Sequence, residues 1–406
     1  MKFKPSERKN ILTVADVSMA SVIGGAERVL YEQSIRLVRR GYAVHAMTRR
    51  LPVHGEEETL VEGIPERRYA VDFTNPFLFL LSNHRNGKKL FESLQGRTGF
   101  DAIIIHQPIS AAGVIKSRRA KGIKKVYICH SLSFEEYVSR NKRPADLSGR
   151  LIYGMHVQIR KWMEKRALQH ADEIIVLSQF TRDKLRGAYR IPPGKIAIIP
   201  GGVDLVQFKP AGDKASIRRA LNLPDDKIVL FTVRNLVPRM GLENLIDALK
   251  TLVANAPDIC LVIGGTGPLR HELERRAEEL GVDGSIRFEG FIPEDYLPKY
   301  YQMADLFILP TRELEGFGLV TLEAMACGVP VLGTPVGGTL EIISQFDPGF
   351  LFPDSTPEAI AGLIAEKYHV IRNVPDRWRE ISGKARSFAE KNYSWDKHVD
   401  ALEKHL

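Results

Sequence analysis

Cysteine is scarce in this chain, with three residues among 406. Cys129, Cys260 and Cys327 lie far apart, and none of them belongs to the C-x-x-C spacing that is typical of a zinc site. A small secreted fold held by disulfides would carry more cysteines at closer spacing. The sequence therefore predicts three buried free thiols in a reducing cytoplasm, and neither a disulfide framework nor a zinc site.

Long hydrophobic runs are missing as well. The longest stretch of aromatic and aliphatic residues, 77–81, is much shorter than the roughly 20 residues that a membrane-spanning helix needs. The basic start of the chain leads into an apolar run that Asp16 interrupts, and no small-residue cleavage site follows, which argues against a signal peptide. We expect a cytoplasmic protein that is soluble or peripheral on the inner face of the membrane.

What the sequence does contain is a regular alternation of strands and helices, typical of parallel sheets with helices on both faces. Its 406 residues are enough for two cores of about 200 residues each. The predicted strands are 11–15, 43–48, 102–105, 125–129, 173–177 and 196–199, and then 228–233, 259–264, 286–289, 306–309 and 331–333. This pattern predicts an α/β protein with two Rossmann-like, doubly wound domains that face each other across a cleft. The glycine- and proline-rich segment 199–213 is the expected hinge.

Charge is unevenly distributed along the chain. Residues 1–200 carry 35 Lys and Arg against 19 Asp and Glu, a net +16, whereas the remainder carries 23 against 30, a net −7. Basic residues cluster in 116–125 and again in 140–166. Such a field attracts an anionic partner, for example a membrane leaflet or a lipid diphosphate, and an ordinary solvated face is the alternative. No recognised module accompanies the charge, so we do not expect nucleic acid as a partner.

The most informative stretch is EGFGLVTLEAMACGVPVLGT, residues 315–334. It places Glu315 in a loop after an apolar strand, and Glu323 about one turn inside the following helix. Backbone N–H groups of Gly318, Leu319 and Val320 favour a phosphate there, because they lie at the positive end of the helix and lack intrahelical acceptors. Carboxylates accept hydrogen bonds from vicinal hydroxyls, so the pattern indicates a sugar-nucleotide site. The alternative is that the spacing between Glu315 and Glu323 carries no functional meaning and that the two acids have unrelated roles.

Five short motifs occur in the order and spacing of one family. GGAER, IPGGVD, GGTGP, EGFGLVTLEAMACGVPV and YSW together resemble the family-4 retaining glycosyltransferases with the GT-B fold, over essentially the whole chain. The resemblance implies transfer of a hexosyl group from a UDP-, GDP- or ADP-sugar to a saccharide or lipid-linked acceptor, with retention of configuration and without a metal or other cofactor. It also implies an acceptor-binding domain at 1–200, a nucleotide-sugar-binding domain at 201–385 and a closing helix, 386–406, that packs back on the first domain.

The resemblance assigns roles to individual residues. It implies that Glu323 binds the ribose hydroxyls and that Glu315 contacts the donor sugar. His130, at the end of the strand KVYICH, would contact that sugar too, or would be a structural strand-end histidine, while His106 is expected to be structural. The other implied donor-binding residues are Gly24, Gly25, Gly265, Phe291, Ile292, Leu297, Gly318, Leu319 and Val320.

One departure from the family pattern concerns the cations that hold the diphosphate. Asn235 and Met240 stand where the family usually has an arginine and a lysine, and Arg234 and Arg239 each precede those positions by one residue. Guanidinium groups are long and bind phosphate through two hydrogen bonds. We therefore expect Arg239 to replace the lysine and Arg234 to be the second cation. No nucleophilic side chain is assigned, because the departing phosphate oxygen can remove the acceptor proton.

The residues leave several alternatives open. A sugar-nucleotide epimerase or a phosphorylase can share the architecture, and the displaced cations also fit a non-catalytic nucleotide-sugar-binding protein. A dehydrogenase fits poorly, because GGTGP lacks the full dinucleotide-binding glycine pattern. The basic first half and the apolar segment 76–81 suggest a lipid-linked or membrane-surface acceptor, in cell-surface polysaccharide or glycolipid assembly. Core packing of that segment is the alternative.

Overall fold

The computed structural model describes residues 9–20, 24–51, 55–141 and 143–406. It divides into two compact units, one made of Met1–Pro200 with Trp395–Leu406 and the other of Gly201–Ser394. Among the described residues, no helix has the length and apolar character needed to cross a membrane.

The first unit is built on a sheet whose central strands match the predicted apolar runs. Its strands are β1 (Asn10–Ala15), β2 (Ala43–Arg49), β3 (Glu58–Val61), β4 (Ile64–Tyr69), β5 (Ala102–Ile105), β6 (Lys124–Cys129), β7 (Glu173–Val176) and β8 (Ile196–Ile198). They lie in the order β3-β4-β2-β1-β5-β6-β7-β8, and each neighbouring pair is parallel except β3 with β4. Leu12 and Val14 of β1 and Ile104 of β5 are fully buried, as expected for strands covered by helices on both faces.

The edge strand β3 and its neighbour β4 have no hydrophobic pattern, and the sequence does not predict them. Buried charges explain why. Glu66 of β4 accepts hydrogen bonds from Thr48 Oγ1 at 2.7 Å and from Arg68 Nε at 3.0 Å. Because these polar groups satisfy one another inside the unit, the strand tolerates residues that usually mark a solvated segment.

Helices α1 (Gly25–Arg39), α2 (Pro76–Thr98), α3 (Pro108–Ile115), α4 (Ser133–Arg140), α5 (Leu147–His170) and α6 (Gln179–Tyr189) connect these strands. The two longest begin at side-chain caps. Asn75 accepts a hydrogen bond from Leu78 N before α2, and Asp146 accepts one from Gly149 N before α5. The apolar segment 76–81 forms the start of α2, where residues 78–80 are partly buried and Phe77 and Leu81 are exposed.

The second unit repeats the arrangement with a smaller sheet. Its strands are β9 (Ile228–Val233), β10 (Ile259–Gly264), β11 (Ile286–Gly290), β12 (Leu306–Leu309) and β13 (Val331–Gly333), all parallel, in the order β11-β10-β9-β12-β13. Its helices are α7 (Lys214–Ala220), α8 (Leu242–Asn255), α9 (Arg270–Leu280), α10 (Leu297–Met303), α11 (Leu319–Ala326), α12 (Gly337–Phe346), α13 (Pro357–Asn373) and α14 (Pro375–Asn392). The predicted fold class of parallel-sheet α/β units is confirmed.

The last helix, α15 (Trp395–Leu402), belongs to the first unit. Its buried His398 donates from Nδ1 to the Pro200 carbonyl at 2.7 Å, which leaves Nε2 to accept from Gln33 Nε2, also at 2.7 Å. Since α14 lies within the second unit, the return to the first unit begins at Trp395, whereas the sequence suggested residue 386.

Candidate functional site

The sequence-predicted residues of the second unit meet at the carboxyl ends of its strands. Arg234 follows β9, Gly265 follows β10, Phe291 and Ile292 follow β11, and Glu315 lies in the loop after β12. These strands are neighbours in the sheet. Ligands of open parallel sheets bind at this edge, so the topology alone places the five residues at one candidate site.

Two glycines allow the loops at this edge to approach one another. Gly265 has φ 111°, and a Cβ there would lie 1.9 Å from the Arg234 carbonyl oxygen. Gly241 has φ 68°, and its Cβ would lie 2.0 Å from the Pro310 carbonyl oxygen. Only glycine fits either position. The segment after β9 is thereby held against the loops that follow β10 and β12.

The side chain of Arg234 is buried within this edge of the sheet. Its Nη2 donates to the Glu315 carboxylate and to Thr311 Oγ1, the latter at 3.0 Å. Nη2 and Nε also lie 2.9 Å and 3.2 Å from Met240 Sδ. The Arg234 and Glu315 side chains are 6% and 13% exposed, so the pair interacts in a weakly screened environment. The guanidinium therefore lies at the side chain of residue 240, where the family usually has its lysine.

Arg239 is directed elsewhere. Its Nη1 donates to the Leu314 carbonyl oxygen at 3.0 Å, and its own carbonyl oxygen accepts from Arg312 N at 2.9 Å. Leu314 has φ 59°, an unfavourable conformation for a leucine. Arg239 thus stabilises the backbone of the loop that carries Glu315. Arg234 rather than Arg239 thus lies beside Met240, and the expectation that Arg239 replaces the lysine stays a prediction.

The start of α11 presents several hydrogen-bond donors. Gly318, with φ 88°, is its N-cap, and the N–H groups of Leu319 and Val320 lie in the first turn without intrahelical acceptors. The hydroxyls of Thr321 and Thr339 are buried and have no hydrogen-bond partner among the described residues. A Cβ on Gly318 would lie 3.1 Å and 2.8 Å from these two oxygens, so both lie beside the helix start. This arrangement favours an anion.

Glu323 lies on α11 and is 6% exposed. Its Oε2 accepts a hydrogen bond from Tyr301 Oη at 2.8 Å. Burial, reinforced by the charge of Glu323, raises the pKa of Tyr301 well above its usual value, so the phenol remains a donor. The tyrosine thereby fixes one carboxylate oxygen of Glu323.

Phe291, Ile292 and Leu297, three of the implied donor-binding residues, follow β11, and Ile292 lies beside the end of β10. A Cβ on Gly264 would lie 2.5 Å from Ile292 Cδ1, so the absence of a side chain at Gly264 lets Ile292 pack over the strand end. Phe291 is 59% exposed, and Leu297 begins α10. An exposed aromatic ring next to a packed aliphatic side chain can stack on a planar ligand.

In the first unit, Gly24 and Gly25 form the start of α1, as the sequence predicts. A Cβ on Gly24 would lie 3.1 Å from Glu27 Oε2, so the Glu27 carboxylate lies beside the start of the helix. Burial raises the pKa of Glu27. Residues 21–23, which precede this turn, lie outside the described residues.

His106 and His130 follow the adjacent strands β5 and β6. Their rings are stacked, with centroids 5.4 Å apart, and His106 Nδ1 lies 3.2 Å from His130 Nε2. Burial lowers the pKa of His130 to about 4 and that of His106 well below its usual value, so both rings are neutral at pH 7. His130 Nδ1 is buried and has no hydrogen-bond partner in the described part of the chain. His106, expected to be structural, therefore orients His130 directly.

Sequence reasoning missed Thr311, Tyr301, Thr321 and Thr339. Thr321 lies inside the motif at 315–334, which gave no reason to single it out, and no motif marks the other three. Among residues 9–20, 24–51, 55–141 and 143–406, there is no group of three or more His, Cys, Asp and Glu side chains placed to hold a metal ion.

Comparisons with known proteins identify the family of the chain and similar folds. A family described as Glycosyltransferase Family 4 matches residues 23–207, and one described as Glycosyl transferases group 1 matches residues 213–381. The solved structure of sucrose-phosphate synthase from Thermosynechococcus elongatus has a TM-score of 0.82 at 22% identity and covers 98% of both chains. That likeness shows the fold.

Two curated relatives show the extent of the sequence similarity. The chain is 34% identical over 238 residues to the GDP-mannose-dependent alpha-(1-6)-phosphatidylinositol monomannoside mannosyltransferase of Mycolicibacterium smegmatis, over 57% of this chain and 61% of the relative. The match thus spans about three fifths of that relative. The chain is 28% identical over 394 residues to the D-inositol 3-phosphate glycosyltransferase of Saccharomonospora viridis, over 93% and 88% of the two chains. This similarity and the two family matches show that the chain belongs to the group 1, family-4 glycosyltransferases with the GT-B fold.

Proposed function

We propose that this protein transfers a hexosyl group from a nucleoside diphosphate sugar to an acceptor hydroxyl, with retention of configuration and without a metal ion. The observation that carries the proposal is the buried pair of Arg234 and Glu315 in the same unit as the α11 start. The cation and the backbone donors at this strand edge suit the diphosphate anion of such a donor, and the carboxylate suits its sugar hydroxyls.

Donor recognition is proposed to rest on α11 and its surroundings. Glu323, held by Tyr301, accepts hydrogen bonds from the ribose hydroxyls, and Phe291 with Ile292 packs against the base. UDP-, GDP- and ADP-sugars all fit this description. GDP-mannose is the first donor to test, because the mannosyltransferase relative is named for it.

The main electrostatic task is to stabilise the diphosphate as its bond to the sugar breaks. Arg234 and the N–H groups of Leu319 and Val320 are proposed to do so, and removing one such donor typically slows a reaction by about 10²–10³. Glu315 holds Arg234 and accepts a hydrogen bond from a sugar hydroxyl, while His130 offers its neutral ring to another. The departing phosphate oxygen removes the acceptor proton on the same face, so the mechanism assigns no nucleophilic side chain.

The first unit is proposed to bind the acceptor at a membrane surface. On α5, Leu147, Leu151 and Met155 lie four residues apart, so they form one stripe, and they are 75%, 68% and 50% exposed. A cavity of about 590 Å³ between α4 and α5 includes Arg143 and Arg150 in its lining. An apolar stripe beside cations is typical of a helix that lies on an anionic leaflet. We propose a cytoplasmic, peripheral enzyme of cell-surface polysaccharide or glycolipid assembly.

The test is to incubate the protein with each donor and a panel of saccharide and glycolipid acceptors, with and without EDTA. We expect a glycoside whose anomeric NMR signal has the donor's configuration, EDTA-insensitive turnover, and loss of turnover in Glu315→Gln. Glu313→Gln is the matched control, because Glu313 is an exposed acid of the same loop. Isomerised donor without transfer would indicate an epimerase, and donor binding without turnover, unchanged in Glu315→Gln, would indicate a binding protein.

A further inference from the structure

A buried ion pair of the first unit contacts the loop that follows β1. Glu66 and Arg68 lie on β4, and their side chains are 0% and 5% exposed. Arg68 Nε donates to Glu66 Oε1 at 3.0 Å. In the sheet β2 lies between β1 and β4, so the loop after β1 passes β2 to reach this pair. Neither charge belongs to the site described above, and no sequence motif marks either of them.

The ion pair holds consecutive residues of that loop. Glu66 Oε2 accepts a hydrogen bond from Met19 N at 3.0 Å. Arg68 Nη2 donates to Ser18 Oγ at 3.1 Å, and the same oxygen accepts from Ala20 N, also at 3.1 Å. A buried backbone N–H group outside regular structure, such as that of Met19, needs a side-chain partner of this kind. The backbone from Ser18 to Ala20 is therefore fixed by two side chains of β4.

The two carboxylate oxygens of Glu66 bind different parts of the unit. Oε1 accepts hydrogen bonds within the sheet, from Thr48 Oγ1 at 2.7 Å and from Arg68, whereas Oε2 accepts from Met19 N of the loop. A buried ion pair usually contributes little more stability than apolar residues of the same volume, because removing two charges from water offsets their attraction. We therefore expect the main effect of this pair on the geometry of the loop.

The loop leads into the glycine turn at the start of α1. Met19 precedes Gly24 by five residues, and the family resemblance implies that Gly24 and Gly25 bind the donor. Glycine has no Cβ, so its backbone adopts many conformations and no side chain packs to select one of them. The position of the turn therefore depends on contacts that fix the chain on either side of it. After the turn these contacts come from α1, and before it they include Glu66 and Arg68.

We propose that Glu66 and Arg68 are positioning residues for the transfer reaction. They hold the loop between β1 and α1, and through it they set where the backbone of Gly24 and Gly25 lies. The proposal rests on the proposed function and adds that this glycine turn contacts the donor. A displacement of about 1 Å at the reacting groups can slow a reaction about 10²-fold. Loss of the ion pair therefore lowers the rate although neither side chain touches the reacting groups.

Hydrogen–deuterium exchange measures the positioning of the loop independently of activity. In Glu66→Gln the side chain has a single acceptor oxygen and its NH₂ group cannot accept, so either Arg68 or Met19 loses its partner. We expect the Met19 and Ala20 amides to exchange about tenfold faster than in the wild type, because local opening of the loop becomes easier. Thr48→Val is the matched control, since it removes a hydrogen bond to the other oxygen of the same carboxylate and leaves the loop contacts in place. Its Met19 amide should exchange as in the wild type.

Steady-state kinetics then measures the consequence for the reaction. We expect Glu66→Gln and Ser18→Ala to lower kcat by at least about tenfold. The affinity for GDP or UDP, measured by calorimetry, should stay that of the wild type, because the proposed nucleotide site lies in the second unit. Thr48→Val should change neither quantity. Ser18→Ala removes only the loop side of the contact with Arg68, so it decides the outcome if Glu66→Gln does not fold.

The inference is overturned if the Met19 amide exchanges in Glu66→Gln as it does in the wild type, or if its exchange becomes faster while kcat is unchanged. Both results leave the proposed function standing. A wild type that transfers no hexosyl group from any donor to any acceptor rejects the proposed function, and this inference with it, whatever the exchange rates are.

Discussion

The guanidinium of Arg234 lies against the sulfur of Met240, with Nη2 2.9 Å and Nε 3.2 Å from Sδ. A cation from residue 234 thus lies beside the uncharged side chain of residue 240. Glu315 and Thr311 hold the guanidinium there. The departure from the family pattern is consequently a rearrangement of the site, and it need not remove the cation that a leaving diphosphate requires.

Replacing Arg234 by glutamine is expected to lower kcat by about 10²–10³, because the leaving group loses its main neutralising charge. The double variant Arg234→Gln with Met240→Lys restores an ammonium at the family's usual position and should recover part of that loss. Steady-state kinetics with a saturating donor measures both effects. Arg239→Gln is the comparison, and it should reduce kcat less, since Arg239 Nη1 donates to the Leu314 carbonyl oxygen of the loop. A larger loss of kcat in Arg239→Gln than in Arg234→Gln would indicate that Arg239, and not Arg234, replaces the family's lysine.

Tyr301→Phe is expected to weaken nucleotide binding about tenfold. The change keeps the buried ring but removes the hydrogen bond to Glu323, and a hydrogen bond to a charged group contributes about 1.5–3 kcal/mol. Calorimetric titration with GDP and UDP measures the change. Tyr300→Phe is the matched control, because Tyr300 lies on the same helix and its hydroxyl donates to Glu289 instead. Equal nucleotide affinities of Tyr301→Phe and Tyr300→Phe would show that Glu323 does not bind the nucleotide.

Much of this architecture could be predicted from the sequence, because its central strands are apolar runs and its turns are marked by glycine. The edge strand β3 and its neighbour β4 could not, since Glu66 and Arg68 of β4 are charged residues that pair inside the unit. The acidic motif located the α11 start, but the target of Arg234 depends on how two loops pack.

Gly265→Ala is expected to destabilise the second unit and to displace Arg234. A left-handed backbone costs a non-glycine residue about 1–2 kcal/mol, and crowding against the Arg234 carbonyl adds about 1–3 kcal/mol. Gly281→Ala is the control, because Gly281 also has positive φ but has no atom within 4 Å of the added Cβ. In urea unfolding, the unfolding free energy of Gly265→Ala should be lower than that of Gly281→Ala by the crowding contribution. Only Gly265→Ala should lose activity under conditions where both variants are folded.

Glu164 predicts a distinct pH dependence of stability. It is fully buried on α5, and burial raises its pKa from 4.5 to about 7, although hydrogen bonds from Tyr189 and from Ser133 N lower it. The folded state therefore binds a proton more tightly than the unfolded state does. This contribution to stability is present below pH 4.5 and is lost as the pH rises through about 7, by on the order of 3 kcal/mol.

Glu164→Gln should remove that slope while keeping the side chain's volume. The relevant measurement is the difference in unfolding free energy between wild type and variant at several pH values from 4.5 to 8. Taking the difference is necessary because His398, whose pKa burial lowers to about 4, acts in the opposite direction and loses stability as the pH falls below 6.5. A difference that does not change with pH would show that Glu164 titrates normally.

The exposed leucines of α5 predict that this helix contacts the membrane surface. Leu147 and Leu151 are 75% and 68% exposed, so Leu147→Ser with Leu151→Ser should leave the unfolding free energy nearly unchanged. Burying one leucine side chain in an apolar environment contributes about 1.5–3 kcal/mol, so the double variant should bind anionic vesicles at least about tenfold more weakly. Flotation with phosphatidylglycerol vesicles, at low salt and at high salt, measures the loss. Leu60→Ser is the control, because Leu60 is 71% exposed on the edge strand β3 rather than on α5. If wild type and double variant float equally, α5 does not contact the bilayer, and the acceptor must reach the enzyme from solution.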